Sequence, residues 1–469
     1  MEKTPELVKA EEAIVEEKNV TSATRERLSA YLSESSVHGV AYLAKRDTSG
    51  ARRCVWLLII LAGFTLLSYM IVQSARDYYK FESTISFSRE QQDSLPFPAV
   101  TFCNKNTARK TPTVRIFGDQ ASIQQEGHYS SFSIPYNITG WNVSRVSSHK
   151  HYDLVSQLVP QVNDTFLQCR ISHQLVNCAD YVVTFNSNQG ICYTFQSYEH
   201  VQRNGGVTMT SPGENYGLSF TLNADKDEYY MPNSFGVGFS VIIHDVTELP
   251  RVDLEPIDIG PGKATAIALQ KETHSVLPRP YSKEDCTDDA LPYDEELALG
   301  YPYSQNACQF SCIFREFNRA CGCDYFKDCT YGTIMQCILN VNFFMERAPC
   351  RCLKTCRFHK YIKQISSSDF PNVMAVANAV RNNFTSQTEQ AMRANLLELT
   401  LYYSSMDVTY ITQNPKYQPQ DIFSTIGGLM GLFLGISVIS LLELIDFLLN
   451  TIGVWVRSLR NSKLNRGTI

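Results

Sequence analysis

Residues 422–456 constrain this chain most strongly, because an almost wholly apolar stretch there carries glycine, serine and two carboxylates. A membrane-spanning helix needs about 20 apolar residues, and charged groups at that depth usually face a bundle interior or an aqueous path. The polar residues recur at every third position and are Ser437, Ser440, Glu443 and Asp446. The glycines recur at every fourth position and are Gly427, Gly431 and Gly435. On a helix these spacings predict a polar stripe and a close-contact stripe, which favours a pore wall. The open alternative is a helix whose polar groups only hold it to its neighbours.

A second apolar run, residues 54–72, contains no charged residue and is about long enough to cross a bilayer. Basic residues precede this run, and only basic charges follow residue 456. The positive-inside rule therefore predicts a multi-pass protein of the plasma membrane with both ends in the cytoplasm. The predicted divisions are a cytoplasmic N-terminus 1–53, a first transmembrane helix 54–72, an external domain 73–421, a second transmembrane helix 422–456 and a basic tail 457–469. The first 50 residues lack a long apolar run, so no cleavable signal peptide is expected.

Charge and motifs limit the function classes. The net charge is −5, and the predicted division leaves −7 on the external domain, which can attract cations and basic ligands. No basic face or stacking motif indicates nucleic-acid binding. The sequence has no HExxH, GxSxG or P-loop motif, so we expect no catalytic residue and no cofactor. A two-pass ectoenzyme or adhesion receptor is the alternative of a different class, although adhesion does not require Glu443 and Asp446 inside a membrane helix. An ATP-gated channel is also considered, but no clear phosphate-binding lysine cluster is present.

Fourteen of the fifteen cysteines lie between residues 103 and 356, and the fifteenth, Cys54, begins the first apolar run. An even number in an external region predicts seven disulfides. Ten lie in a cysteine-rich block, residues 286–356. Antiparallel neighbours there would pair Cys312 with Cys350, Cys308 with Cys352 and Cys286 with Cys356, although spacing alone does not fix connectivity. The alternative is a zinc site at Cys321-x-Cys323; we expect no metal. The expected external glycosylation sites are Asn137, Asn142, Asn163 and Asn383.

Several motifs now support a resemblance. They are His38-Gly39, 97–104 (FPAVTFCN), 190–195 (GICYTF), 307–312 (ACQFSC) with 321–323 (CGC), and 427–437 (GGLMGLFLGIS). The chain resembles the degenerin/epithelial sodium channel superfamily, which includes acid-sensing and peptide-gated channels. The 427–437 motif is the most specific, since it holds the family's Gly-x-Ser triplet in its usual setting. The matches extend from about residue 30 to 450.

The resemblance implies an α+β membrane protein that forms a homotrimer. Two transmembrane helices would flank an external palm, finger, thumb, knuckle and β-ball, with the thumb at about 286–356. A trimer also solves a physical problem, because two helices cannot enclose a pore alone. The family pattern further implies the nested thumb pairs together with Cys103–Cys192, Cys169–Cys178, Cys321–Cys337 and Cys323–Cys329.

The resemblance also implies roles for individual residues. Gly435, Ile436 and Ser437 would form a selectivity filter whose carbonyls and hydroxyls replace part of a cation's water shell. The pore-lining residues would be Ser424, Gly428, Gly431, Ser440, Glu443 and Asp446, with Ser424 at an outer mouth that a bulky residue props open. The residues expected to act in gating are His38, Gly39, Tyr78, Tyr79 and Tyr281. Tyr281 stands where acid-sensing channels usually have Trp, so the chemistry of its wrist contact differs.

The stimulus is predicted from departures from the acid-sensing pattern. The segment 79–84 lacks the paired histidines typical of acid-sensing channels, and Thr425 replaces an Asp common near their mouth. The segment 38–48 resembles invertebrate peptide-gated members of the FMRFamide type. We therefore predict an amiloride-sensitive, sodium-selective channel in membrane lipid that is opened by a short external neuropeptide. The alternatives in the same superfamily are acid-gated, bile-acid-gated and constitutive channels. The acidic residues that could meet a basic peptide are Asp285, Asp288, Asp289, Asp294, Glu295 and Glu296.

Overall fold

The computed structural model describes residues 28–45, 48–117, 147–187, 190–230, 236–252, 254–287, 295–340, 350–381 and 388–466. The chain divides into two compact units. One unit, here called the helical unit, combines the described residues up to 84 with those from 415 onward. The other, here called the β unit, contains the described residues from 85 to 414.

The helical unit is built from α1 (28–34), α2 (Val40–Ala44), α3 (Gly50–Tyr78), α12 (Pro419–Leu434) and α13 (Val438–Arg466). Helix α3 is apolar and long enough to cross a membrane, and α12 with the first part of α13 meets the same criterion only as a bent pair. Helix α3 extends beyond the predicted 54–72 at both ends, since backbone hydrogen bonding continues past the uncharged stretch. Within the predicted second transmembrane segment, 422–456, the helix breaks at 435–437 and bends by 77°.

The β unit contains a seven-stranded sheet and a five-stranded sheet. The larger sheet contains β1 (Ser83–Gln91), β4 (Phe166–Ile171), β5 (Gln174–Val176), β9 (Leu218–Asn223), β12 (Lys263–Ser275), β15 (Arg357–Asp369) and β16 (Leu396–Pro415). Its order is β15-β12-β16-β9-β4-β5, and β1 also pairs with β16. The smaller sheet contains β3 (Ala99–Asn104), β6 (Val182–Ser187), β7 (Gly190–Phe195), β10 (Phe239–His244) and β11 (Ile257–Ile259) in the order β11-β10-β3-β7-β6. Two short pairs join β2 (Leu95–Pro96) to β8 (Thr208–Met209) and β13 (Cys286–Thr287) to β14 (Lys354–Thr355).

Helices pack around these sheets. They are α4 (Lys110–Phe117), α5 (His151–Leu158), α6 (Val162–Thr165), α7 (Tyr198–Asn204), α8 (Gln305–Cys321), α9 (Tyr331–Asn340), α10 (Val373–Arg381) and α11 (Glu389–Asn395). Helix α8 begins where the Ser304 hydroxyl accepts the Ala307 N–H and ends at Gly322, whose φ of 70° is left-handed. Strand β16 begins at Leu396, immediately after α11 ends at Asn395.

The main core forms where the two sheets share apolar side chains. Every residue of β3, β7 and β10 is buried, whereas the first half of β16 alternates buried and partly buried residues, as a strand with one covered face should. Phe102 packs against Phe166 and Phe220 at centroid distances of 5.2 and 5.1 Å. Edge-to-face contacts of this kind add to the stability gained from burying aromatic area.

Seven disulfides hold the β unit together. The pairs are Cys103–Cys192, Cys169–Cys178, Cys286–Cys356, Cys308–Cys352, Cys312–Cys350, Cys321–Cys337 and Cys323–Cys329. These are the pairs that the nested order and the family resemblance imply, and Cys54 is free and exposed. Three of the bonds anchor α8, at Cys308, Cys312 and Cys321, so this helix is covalently fixed at both ends.

Candidate functional site

The helix break at 435–437 is stabilised by local hydrogen bonds. Gly435 follows α12 with a left-handed φ of 67°, and its N–H donates to the Gly431 carbonyl. The next N–H, of Ile436, donates to the Met430 carbonyl at 3.2 Å. The bond from Gly435 to Gly431 is the αL pattern that ends many helices, and glycine is preferred at its left-handed position. The sequence Gly431–Ile436 therefore ends one helix inside the apolar segment.

Helix α13 starts immediately after the break because two serines cap it. The Ser437 hydroxyl accepts the Ser440 N–H at 3.2 Å, and the Ser440 hydroxyl accepts the Ser437 N–H at 3.1 Å. The Ser437 carbonyl then accepts the Leu441 N–H as the first helical bond. The carbonyls of Gly435 and Ile436 thus lie between the two helical ladders. Non-helical backbone at membrane depth is tolerated where protein covers it or where it lines a water-filled cavity.

The predicted His38-Gly39 motif lies directly against this break. The His38 N–H donates to the Leu434 carbonyl at 2.9 Å, which satisfies one of the groups that the end of a helix leaves without an intrahelical partner. A Cβ built on Gly435 would lie 1.9 Å from His38 Nδ1. Gly435 is therefore required both by its backbone conformation and by the histidine ring.

Gly39 and Gly63 bring the remaining pieces of the helical unit close together. Gly39 has a left-handed φ of 84°, and a Cβ there would lie 2.9 Å from the Trp56 ring. Gly63, in the middle of α3, would place a Cβ 3.4 Å from the Phe433 carbonyl oxygen. The close approach of α3 and α12 therefore uses Gly63. The predicted stripe on α12 does not serve this contact, since a Cβ at Gly427, Gly428 or Gly431 meets nothing within 4 Å in the chain.

The segment before His38 continues along α13, which the sequence reasoning missed. Ser36 Oγ lies 2.6 Å from Ser440 Oγ and 3.2 Å from Glu443 Oε2, and the Tyr31 ring stacks on Phe447 at 4.6 Å. Ser440 is consequently buried, at 5% exposure, and its hydroxyl is engaged with Ser36 and Ser437. The only sequence signal for this contact is that Ser36 lies two residues before the His38-Gly39 motif, a pattern too weak to predict partners.

The other predicted pore residues are exposed in a single chain. They are Ser424, Gly428, Gly431, Ser437, Glu443 and Asp446, while Gly435 and Ile436 are half-buried. Below the break a cavity of about 650 Å³ is lined by Tyr31, Glu34, Glu443, Asp446, Phe447 and Asn450, among others. Three carboxylates and an amide lining one cavity create a negative potential that concentrates cations.

A family model described as amiloride-sensitive sodium channel matches residues 31–447, which include both flanks of the break and all seven disulfides. The chain belongs to the amiloride-sensitive sodium channel family. This is a family of ion channels and not of enzymes.

Curated relatives agree with this assignment. The chain is 25% identical to acid-sensing ion channel 1C of Danio rerio, over 92% of this chain and 85% of the relative. It is 25% identical to acid-sensing ion channel 1 of Gallus gallus, over 92% and 85%. It is 24% identical to the FMRFamide-activated amiloride-sensitive sodium channel of Cornu aspersum, over 90% and 82%. A solved proton-activated chloride channel matches with a TM-score of 0.32 and 9% identity, over 83% of this chain and 95% of that one, which supports no conclusion.

The other residues that the family resemblance singles out lie apart from the break. Tyr78 and Tyr79 pack edge to face at 5.4 Å in the helical unit, whereas Tyr281 belongs to the β unit, so its wrist contact stays a prediction. Asn163 is exposed in α6. The other expected sites, Asn137, Asn142 and Asn383, and the acidic residues Asp288, Asp289 and Asp294 fall outside the described residues.

The β unit also contains a cluster of buried and partly buried titratable residues at and after the end of β10. Burial lowers the pKa of His244 to about 4, and its Nε2 lies 2.9 Å from the Thr101 hydroxyl. Burial, with the nearby Asp245 carboxylate, raises the pKa of Glu248 to about 7. Burial opposes the charge of Asp245, but hydrogen bonds from the Thr247 hydroxyl and N–H and the charge of Lys271 outweigh it and lower the pKa of Asp245.

Glu248 gives a testable pH dependence. Because its folded pKa exceeds the unfolded value of 4.5, the folded state holds the proton more tightly, and stability decreases as pH rises from about 4.5 to 7. Glu248→Gln imitates the protonated form. We expect it to stabilise the β unit at pH 8 by up to about 3 kcal/mol and to have little effect at pH 4.5.

The measurement is the melting temperature of the purified full-length channel at both pH values. Glu255→Gln is the control, because Glu255 is 69% exposed and lies 3.4 Å from Lys363 in a surface ion pair, which contributes little. Equal shifts for Glu248→Gln at the two pH values would contradict the assignment.

Proposed function

We propose that this chain is the subunit of a homotrimeric, sodium-selective, amiloride-sensitive channel of the plasma membrane, with both termini in the cytoplasm. The observation that carries the proposal is the break at 435–437 inside an apolar segment, with polar groups exposed on both sides of it. One or two spans cannot enclose an aqueous path. Three copies related by a symmetry axis would turn the exposed Ser424, Glu443 and Asp446 into rings around a pore.

Selectivity would arise at Gly435, Ile436 and Ser437. The two carbonyls that lie outside the helical ladders are free to point toward the axis, and three copies would give stacked rings of oxygen ligands. Such rings compensate a small cation for part of its lost hydration. The His38 segment would hold the ring diameter constant, because the His38 N–H bond to Leu434 fixes the end of α12.

The acidic cavity beneath the break would serve as a cation vestibule. Glu443 and Asp446 lie three residues apart on α13 and line this cavity together with Glu34. In a trimer their number would triple, so the vestibule would favour cations over anions by Coulomb attraction. Ion selectivity between sodium and potassium would then depend on the narrower ring above it.

The proposed stimulus is a short external peptide with a positive charge. The net charge of −7 expected for the external region, the missing histidine pair in 79–84 and similarity to an FMRFamide-activated channel support this proposal. An acid-gated channel is the second candidate, since the acid-sensing relatives are similarly identical to this chain. Application of amidated peptides at constant pH, followed by a pH drop without peptide, separates the two.

Substitution at Ser437 tests the filter. Ser437→Asn and Ser437→Thr keep a side chain that can cap α13, but they change the size and donors of the ring. We expect the sodium-to-potassium permeability ratio to fall several-fold, because the ring no longer fits a dehydrated sodium ion. Reversal potentials under bi-ionic conditions measure this ratio.

Ser424→Ala is the matched control, since it changes an exposed serine outside the break and should leave the ratio unchanged. Amiloride must block the currents used for the measurement, which identifies them as those of this channel. If Ser437→Asn and Ser437→Thr both conduct with the wild-type ratio, the filter lies elsewhere.

A further inference from the structure

Besides the cavity described in the helical unit, the β unit contains a cavity of about 490 Å³. Its lining residues are far in sequence from the helix break. Its walls come from α5, from β6, from the turn 295–299, from α8 and from the loop closed by Cys323–Cys329. This volume falls within the range of typical small-ligand sites, about 300–1,000 Å³. Two disulfides to the segment 350–352 fix α8, so the wall that it forms is anchored.

One side of the cavity is aromatic and apolar. Phe185 and Leu297 are buried, while Phe326, Tyr152 and Leu299 are partly exposed toward it. The Phe326 ring lies 6.5 Å from Tyr152 in an edge-to-face contact. It also lies 4.8 Å from the buried Phe314. Packing from behind holds the Phe326 ring in place, which favours stacking of an aromatic ligand group.

Helix α8 contributes two hydrogen-bond donors to the same cavity. Arg315 and Asn318 are three residues apart and share one face of the helix. The Asn318 oxygen accepts the Tyr325 N–H at 3.0 Å, which leaves its amide nitrogen to donate. Glu316, the carboxylate next to Arg315 in sequence, lies 3.8 Å from the Arg315 Nε atom. Both of its oxygens accept hydrogen bonds from Arg319 at 3.1 Å. A planar guanidinium beside an amide suits a carboxylate or a carbonyl oxygen.

Negative charge also lines the cavity. Lys327 lies 2.5 Å from Glu296 and 3.9 Å from Asp324, so two carboxylates share one ammonium group. Glu296 is 76% exposed and ends the acidic run identified in the sequence. A cationic group on a ligand can approach this pair without displacing a buried ion pair, because Lys327 is itself 59% exposed.

We propose that this cavity binds a short peptide with an aromatic side chain, a cationic group and a C-terminal amide or carboxylate. The aromatic ring packs against Phe326, the terminal oxygen accepts from Arg315 and Asn318, and the cation lies beside Glu296. A simple ion satisfies only one of these three features. This proposal rests on the proposed peptide gating and assigns the peptide a binding site. It is tested by peptide binding to the cavity and not by channel opening.

The probe is Phe-Met-Arg-Phe-amide, used with its free acid and with an analogue that has norleucine in place of arginine. A fluorescent form of each peptide is bound to full-length channels on intact cells, and surface channel is quantified by biotinylation. Binding is measured separately from current, so that a channel that binds but does not open is distinguished from one that does neither. We expect saturable binding to the wild type. The comparison of amide with acid shows which terminal group Arg315 and Asn318 prefer.

Variants assign the binding to the cavity. Arg315→Gln is expected to weaken peptide binding about tenfold, which corresponds to a loss of about 1.4 kcal/mol of binding free energy. Phe326→Ala is expected to weaken binding by a larger factor. Arg203→Gln is the control, because Arg203 lies in α7, is 73% exposed and does not line the cavity. Glu296→Gln alters only an exposed side chain, so it keeps the test valid if Phe326→Ala fails to reach the surface. Glu296→Gln should weaken binding of the arginine-containing peptide but not binding of the norleucine analogue.

Three outcomes overturn the proposal. The first is the absence of saturable wild-type binding by any of the three peptides. The second is equal loss of binding in Arg315→Gln and Arg203→Gln. The third is a Glu296→Gln effect that is the same for the arginine and norleucine peptides. A peptide-evoked current that survives every cavity variant would keep the proposed function and place the ligand elsewhere.

Discussion

Replacing Gly435 with alanine is expected to reduce strongly the current of surface-expressed channels. The alanine Cβ would lie 1.9 Å from His38 Nδ1, and the φ of 67° disfavours any residue with a Cβ by roughly 1–2 kcal/mol. The His38 segment must therefore move away from the helix break or the backbone must change. Either change alters the ring that we propose as the filter, so whole-cell current per surface channel should fall at least about tenfold.

Two companion variants separate these causes. Gly453→Ala adds the same methyl group to a helical glycine with no neighbour within 4 Å, and it should conduct normally. The double variant His38→Gly with Gly435→Ala removes the ring that the methyl group strikes. Partial recovery in the double variant is expected, because only the backbone cost remains. Wild-type currents from Gly435→Ala alone would show that the contact does not exist in the working channel.

Replacing Ser424 with tryptophan is expected to open the channel without ligand. Ser424 is exposed near the start of α12, and in the proposed trimer three such side chains converge at the outer mouth. Three indole rings do not fit where three hydroxymethyl groups did, so the closed state is destabilised while the wider open state is not. A ligand or a substitution shifts the equilibrium between closed and open states only by the difference between its free-energy effects on the two states.

The amiloride-blocked current in the absence of any agonist measures the effect, and we expect it to become the major fraction of the maximal current. Phe423→Trp is the control, because the neighbouring Phe423 is already large and is 76% exposed. Surface expression of Ser424→Trp without ligand-independent current would contradict the placement of Ser424 at the mouth.

The disulfide pairs and the first apolar helix could be predicted from the sequence. Apolar length located α3, and the order of the cysteines with the resemblance gave the same seven pairs that the structure contains. The Gly435–Ser437 triplet was singled out by motif. These features depend on local composition or on a pattern shared across the family, which a single sequence carries.

Contacts between distant segments could not be predicted in this way. By composition the second apolar segment is helical throughout. Its break is defined by the reciprocal caps of Ser437 and Ser440 and by the left-handed backbone of Gly435, which are seen in the structure. The pairing of Ser36 with Ser440 joins residues 404 positions apart. The raised pKa of Glu248 likewise requires burial beside Asp245, which no spacing encodes.

The contact between the His38 segment and Leu434 means that the proposed filter is assembled from two distant pieces of the gene product. A splice variant, fusion tag or truncation that displaces residues 31–38 would therefore change unitary conductance and ion preference, even though residues 435–437 are intact. In a mixed trimer, each subunit would contribute both pieces to its own third of the ring. Recordings that compare chains differing only before residue 39 would thus report on permeation as well as on trafficking.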